Sequence, residues 1–224
     1  MKVPIRDRTS AGRALAEALK NYRGRDDVVV LALPRGGVPV ASEVAGALGA
    51  QLDLMIVRKL GTPGQPELAM GAIASGGIRV LNDEIVSSLR ISAEAINKVA
   101  SREQQELERR EQAYRGDRPR PAVEGKCIIL IDDGVATGAT MRAGIAALRR
   151  QRPARIIVAV PVAPFDTVEL LRGEADEVVC LATPEPFFAI GRWYVEFPQL
   201  TDEEVREQLA RMWQAGEQRA SCKG

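Results

Sequence analysis

The chain has 224 residues, 46% of them hydrophobic and 27% charged, enough for one globular domain with a sizeable core. Its 31 basic and 30 acidic residues leave a net charge of +1, so no global field directs it to nucleic acid or to a membrane, and any anion site must be local. It contains no histidine, which excludes catalytic triads, imidazole general bases and histidine-ligated zinc.

From the start, Asp7 or Ser10 is placed to cap a first helix whose Ala11, Leu15, Ala18, Leu19 and Tyr22 share a face. Residues 28–33 read as a buried strand, followed by the turn Pro34-Arg35-Gly36-Gly37, a helix over 38–48 and a second strand over 52–57. Residues 61–77 are rich in Gly and Pro without helical period, and predict a mobile loop leading into a short strand at 78–81. A long helix is expected over 92–114, its charge-dense part most simply a solvated face with helical ion pairs. After a Pro-containing linker come strands at 127–131, 155–160 and 177–181, with helices at 140–150 and 166–171. Thr201-Asp202-Glu203-Glu204 is a capping-box opening for a last helix. Strands alternating with helices indicate the α/β class with a parallel sheet.

No apolar run reaches membrane-spanning length, and the opening residues lack the apolar stretch of a secretory signal. Cys127, Cys180 and Cys222 show no metal or redox spacing and read as thiols of a reducing compartment, so a cytoplasmic location is expected.

Residues 127–140 carry the chemistry. A buried strand ends in Asp132 and Asp133, and the small-residue loop Gly134-Val135-Ala136-Thr137-Gly138-Ala139-Thr140 opens the next helix. In open α/β sheets ligands bind at that edge. Small residues let the amides of Val135, Ala136, Thr137, Gly138, Ala139 and Thr140 curl around a phosphate, Thr137 and Thr140 add hydroxyls, and the helix N-terminus points at the same spot. Two carboxylates cannot share that phosphate. They suit the hydroxyls of a sugar, or a hydrated Mg²⁺. A ligand with a phosphate at one end and hydroxyls or metal nearby describes a ribose 5-phosphate.

Here the chain resembles the type I phosphoribosyltransferases, whose signature of apolar strand, acidic pair and Thr-Gly-x-Thr-like loop it matches over 127–141. The resemblance covers most of the chain and implies a three-layer α/β/α fold with six mainly parallel strands in the order 3-2-1-4-5-6, strand 3 antiparallel. A hood would come mainly from about residues 184–200, with the N-terminus as a second contributor. The ligands implied are 5-phosphoribosyl-1-pyrophosphate (PRPP), Mg²⁺ and a small nitrogenous acceptor, with homo-oligomerisation left open.

The resemblance assigns Asp132 and Asp133 to the ribose and, through water, to the metal. Arg35, Gly36 and Gly37 take the pyrophosphate. Arg58 and Lys59, at the end of the second strand, stand beside that loop as further anion-binding cations. Phe187 or Phe188 inherits the stacking position for the acceptor. Relatives often carry a non-proline cis peptide in the pyrophosphate loop, and the bond here is Pro34–Arg35. One departure stands out: Ala136 and Ala139 occupy positions where purine-salvage members often carry an aspartate and a lysine, which argues against hypoxanthine–guanine salvage. The implied activity is transfer of ribosyl phosphate, and the alternative is a regulatory protein that senses PRPP without turning it over.

Overall fold

Residues 3–221 of the chain are described by a computed structural model, with side chains as far as residue 218, so Cys222 lies outside the described residues. Asp7, rather than Ser10, caps α1 (Arg8–Ala18), its carboxylate accepting from the Ser10 N–H at 2.6 Å. Then follow β1 (Val28–Ala32), α2 (Gly37–Leu48), β2 (Gln51–Leu54), β3 (Val57–Thr62), β4 (Gln65–Ala74) and β5 (Ile78–Leu81). Helices α3 (Asp83–Ser88) and α4 (Ala93–Arg115) lead to β6 (Cys127–Ile131) and α5 (Ala139–Arg150). The chain closes with β7 (Arg155–Val162), α6 (Phe165–Arg172), β8 (Glu177–Ala182) and α7 (Asp202–Ser221). Thr201 and Glu204 form the expected capping box at the start of α7.

The main sheet is parallel throughout, in the order β2-β1-β6-β7-β8. Its central strands are apolar along their whole length because both faces are covered. Val28, Val30 and Ala32 of β1 join the core shared with α1 and α2, while Val29 and Leu31 point to the core shared with α5 and α6. This is the three-layer α/β arrangement expected.

The sheet has five strands, however, and the sixth, antiparallel one is not part of it. After β2 the backbone of Ile56 turns to Ser75: the Ser75 N–H donates to the Ile56 carbonyl at 2.9 Å, and the Ile56 N–H donates to Ser75 Oγ at 2.9 Å. With those groups spent, β3 pairs antiparallel with β4, and β4 with β5, in a separate three-stranded sheet. The segment 61–77 is therefore mostly strand, not a loop. Its strand character was hidden because Ala69, Gly71, Ala72 and Ala74 supply little of the β-branched signal that marks strands.

The charge-dense α4 also differs from a purely solvated helix. Glu106 does pair along the helix with Arg109 and Arg110. Yet Glu103, Glu111 and Arg115 are buried, and Arg115 donates through Nη2 to the buried Asp53 of β2 at 2.8 Å. That pair ties the end of α4 to the sheet.

Residues 184–200 run back over the end of β6 and are stitched to the N-terminal segment. The Ile5 N–H donates to the Trp193 carbonyl at 2.7 Å, the Val195 N–H to the Ile5 carbonyl at 2.8 Å, and the Glu196 N–H to the Arg6 carbonyl at 2.8 Å. No helix among the described residues is long and apolar enough to cross a membrane.

Candidate active site

Strands β1 and β6 lie side by side in register, Ala32 against Ile131, and the Leu33 N–H extends the ladder to the Ile131 carbonyl at 2.9 Å. Their two C-terminal loops therefore emerge together. One carries Pro34-Arg35-Gly36-Gly37 into α2, the other Asp132-Asp133-Gly134 into the loop before α5. The Pro34–Arg35 peptide is cis.

The contact between these loops explains both glycines. A Cβ on Gly36 would lie 2.0 Å from Asp133 Oδ2, and one on Gly37 would lie 2.7 Å from the Ile131 carbonyl oxygen. No other residue allows the first loop to rest on the acidic pair.

The two carboxylates differ in surroundings. Asp133 is 7% exposed; its Oδ2 accepts from Arg8 Nε at 2.7 Å, and its carbonyl accepts from the Tyr194 hydroxyl at 2.6 Å. Asp132 is half-buried, its Oδ1 accepts from the Asp133 N–H at 2.8 Å, and its carboxyl lies against that of Asp133. Burial, then the neighbouring Asp133 carboxylate, pushes the Asp132 pKa well above the usual carboxylate range. A carboxylate held in that state gains from any cation or hydroxyl donor that reaches it.

The following loop is braced from behind. The Val135 N–H donates to the Val162 carbonyl at 3.0 Å, and the Ala136 carbonyl accepts from the Thr167 hydroxyl at 2.8 Å. Gly138 caps α5 at φ +77°, a left-handed conformation that suits glycine. Among the described residues the amides of Ala136, Thr137 and Gly138 donate to no protein group. Ala136, Thr137, Ala139 and Thr140 are all exposed. Open amides beside a helix N-terminus form an anion cradle.

The remaining expected residues are distributed unevenly. Arg35 is half-exposed beside the acidic loop, with a 3.7 Å contact to Asp202. Arg58 and Lys59 do not act as a pair, because neighbours on a strand face opposite ways. Arg58 is held by Glu103 of α4, at 3.0 Å from Nε and 2.6 Å from Nη2. Lys59 is exposed, forms no ion pair among the described residues, and lines a cleft of about 530 Å³ with Ala139 and Thr140 at the start of α5. Phe187 packs on Trp193, ring centroids 6.0 Å apart, whereas Phe188 is 71% exposed and capped by Arg192.

Three residues of the site escape sequence reasoning: Arg8, Tyr194 and Phe197. Arg8 donates to Asp133 and, through Nη1, to the Pro198 carbonyl at 2.8 Å, and its guanidinium lies 3.8 Å from the centroid of Phe197. The available signal was slight. A cation as first residue of a helix opposes the helix dipole, so an arginine there calls for a specific partner.

The phosphoribosyl transferase domain matches the chain over residues 5–191. "Putative phosphoribosyl transferase Rv0571c" of Mycobacterium tuberculosis strain H37Rv is 49% identical over 199 residues, as is a protein of the same description from strain CDC 1551. The match takes in 89% of this chain but 45% of theirs, so the chain spans about half the length of these curated relatives. The crystal structure of TT1426 from Thermus thermophilus is 44% identical, superposes with a TM-score of 0.83, and is covered to 98% by 93% of this chain. With the domain spanning most of its length, the chain belongs to the phosphoribosyl transferase family.

Proposed function

We propose that the chain binds PRPP with Mg²⁺ and transfers ribosyl 5-phosphate to a nitrogenous acceptor, releasing pyrophosphate. One observation carries this reading. An acidic pair, a cradle of open amides and an Arg-Gly-Gly turn converge at the ends of two adjacent parallel strands, the position where such sheets bind ligands. The family membership supports it independently.

In this reading the 5-phosphate rests on the amides of Ala136, Thr137, Gly138, Ala139 and Thr140, with the hydroxyls of Thr137 and Thr140, while Val135, whose N–H is spent on the Val162 carbonyl, only braces the loop from behind. Asp132 and Asp133 form the negative edge of the ribose site. Arg35 and the amide of Gly36 hold the pyrophosphate, and Gly37, whose N–H is spent on the Leu33 carbonyl at 3.1 Å, contributes by its lack of a side chain. Lys59 approaches from the α5 side, while Arg58 acts by fixing β3 to α4. As the C1–O bond breaks, its electron pair leaves with pyrophosphate, and the acidic pair favours the positive charge that develops at C1. The acceptor nitrogen forms the new bond to C1 and gives up its proton. Phe187 and Phe188 offer aromatic faces for the acceptor.

The residues present suit Mg²⁺. Among the described residues no group of three or more Asp, Glu or Cys side chains forms a cage, and no cation is bonded to Asp132 at the crevice. One or two carboxylates plus substrate oxygens and retained waters is the usual Mg²⁺ arrangement. Asp132 would hold the ion, directly or through water, with Asp133 beside it; the ion's contribution when bound is to offset the charge of the leaving pyrophosphate.

The test is a panel of bases and amines incubated with PRPP, Mg²⁺ and the protein, with pyrophosphate release as readout. Acceptor-dependent release supports transfer. PRPP bound without release in any arm would reject it, and a folded protein that fails to bind PRPP would reject the whole reading.

A further inference from the structure

PRPP is a polyanion, and the crevice proposed for it has two adjacent carboxylates in its wall. Left alone, that pair would repel the ligand it is meant to hold. The structure contains the answer to this conflict in Arg8. This residue is 9% exposed and engaged on three sides: Nε on Asp133 Oδ2 at 2.7 Å, Nη1 on the Pro198 carbonyl at 2.8 Å, and its flat face on Phe197 at 3.8 Å. Phe197 in turn packs on Tyr194, centroids 4.9 Å apart, and Tyr194 donates to the Asp133 carbonyl. Arg8 thus approaches Asp133 in a fixed orientation, while among the described residues no arginine bonds to Asp132.

We infer that Arg8 is a positioning residue and internal counter-ion of the site, acting on the ligand only through Asp133. It offsets the charge of Asp133, so that Asp132 is the one carboxyl of the pair to which no cation is bonded among the described residues. It also couples Asp133 to the segment 194–198, the same segment that covers the end of β6. The inference rests on the PRPP reading. Its distinctive content is that removing Arg8 matters because Asp133 is charged, not because a contact with ligand is lost.

The test is a double-mutant cycle on the full chain, with PRPP and Mg²⁺ as the probe in calorimetric titration. Arg8→Met is expected to weaken PRPP binding by on the order of tenfold, a coupling within the range of charged neighbours. In the Asp133→Asn background the same change should cost less than about threefold, since no charge remains to be answered. In the Asp132→Asn background the loss should stay at about tenfold. Arg8→Lys, which keeps the charge but neither the fork nor the stacking face, should fall between wild type and Arg8→Met; it also carries the measurement if Arg8→Met does not fold. Equal losses in all three backgrounds, or a lowered melting temperature with unchanged PRPP affinity, would overturn the inference while leaving the PRPP reading standing. Failure of the wild-type chain to bind PRPP would overturn the reading itself, and the inference with it.

Discussion

Gly36 and Asp133 meet so closely that a methyl group on Gly36 would lie 2.0 Å from the Asp133 carboxylate oxygen. The two loops that define the crevice are thus in contact through the one side chain glycine lacks. Their separation is set by that contact.

Gly36→Ala should therefore push the loops apart. Forcing an extra carbon into a packed site costs about 1–3 kcal/mol, and PRPP affinity should fall with stability. In an Asp133→Ala background the methyl group has room, so the added cost of Gly36→Ala should shrink. Urea unfolding of the two singles and the double checks this; full additivity would show that the clash is relieved elsewhere.

Asp132→Asn should make the protein more stable and less active. The fold favours the protonated Asp132, because burial and Asp133 raise its pKa. As pH rises past the unfolded value, about 4, towards the raised folded value, the unfolded state sheds its proton first and stability falls. The Asn variant escapes that loss. Its melting temperature in Mg²⁺-free buffer should match wild type below about pH 4 and exceed it increasingly at higher pH. Turnover should fall by on the order of 10²-fold, with the charge facing the developing cation gone. A variant that is both less stable at neutral pH and fully active would contradict both halves.

Gly138→Val places a branched side chain at φ +77°, with its first carbon 3.1 Å from Thr167 Cγ2. Thr167 holds the Ala136 carbonyl, so the strain falls on the cradle itself. Binding of ribose 5-phosphate should be lost together with binding of PRPP. Retained ribose 5-phosphate affinity would locate the phosphate away from this loop.

Arg58→Met and Lys59→Met should behave differently. Arg58 is bound to the largely buried Glu103, so its loss should lower stability by about 1–2 kcal/mol and leave PRPP affinity within about twofold. Lys59 is exposed and has no ion-pair partner among the described residues, and its replacement should spare stability while weakening PRPP binding. Parallel thermal melts and titrations separate the two. A pair of variants with identical profiles would mean that the strand does not divide their roles.

Each strand of the main sheet was legible, with the expected 52–57 strand ending at Leu54 instead. The run 127–131 coincides with β6 because a strand covered on both faces is apolar at every position; outside the main sheet, 78–81 coincides with β5. The small-residue loop between β6 and α5 was equally readable as a strand-to-helix turn, and its Ala136, Thr137 and Gly138 amides are open. Local chemistry did not predict the tertiary choices. The paired part of β4 is rich in Ala and Gly, whose strand propensity is weak, and it forms because β3 and β5 flank it. Arg58 and Lys59 look alike in sequence, yet period-two geometry sends them to different surroundings. Arg8 lies 125 positions from Asp133, and no local pattern announces a contact over that span.

The stitching of Ile5 to Trp193 and Val195 bears on the order in which the molecule is made. Ile5 leaves the ribosome long before Trp193 and Val195, and Arg8 long before Phe197 and Pro198, all of which follow every strand of the main sheet; Pro198 comes 190 residues after Arg8. Pairings so distant in sequence are slow to form, since the intervening chain must be ordered before they gain anything. A nascent chain halted after β8 would have both loops of the crevice, yet Arg8 would lack the Pro198 carbonyl and the Phe197 face that orient it. Arrival of the short segment between β8 and α7 would then be the step that fixes the orientation of Arg8 on Asp133.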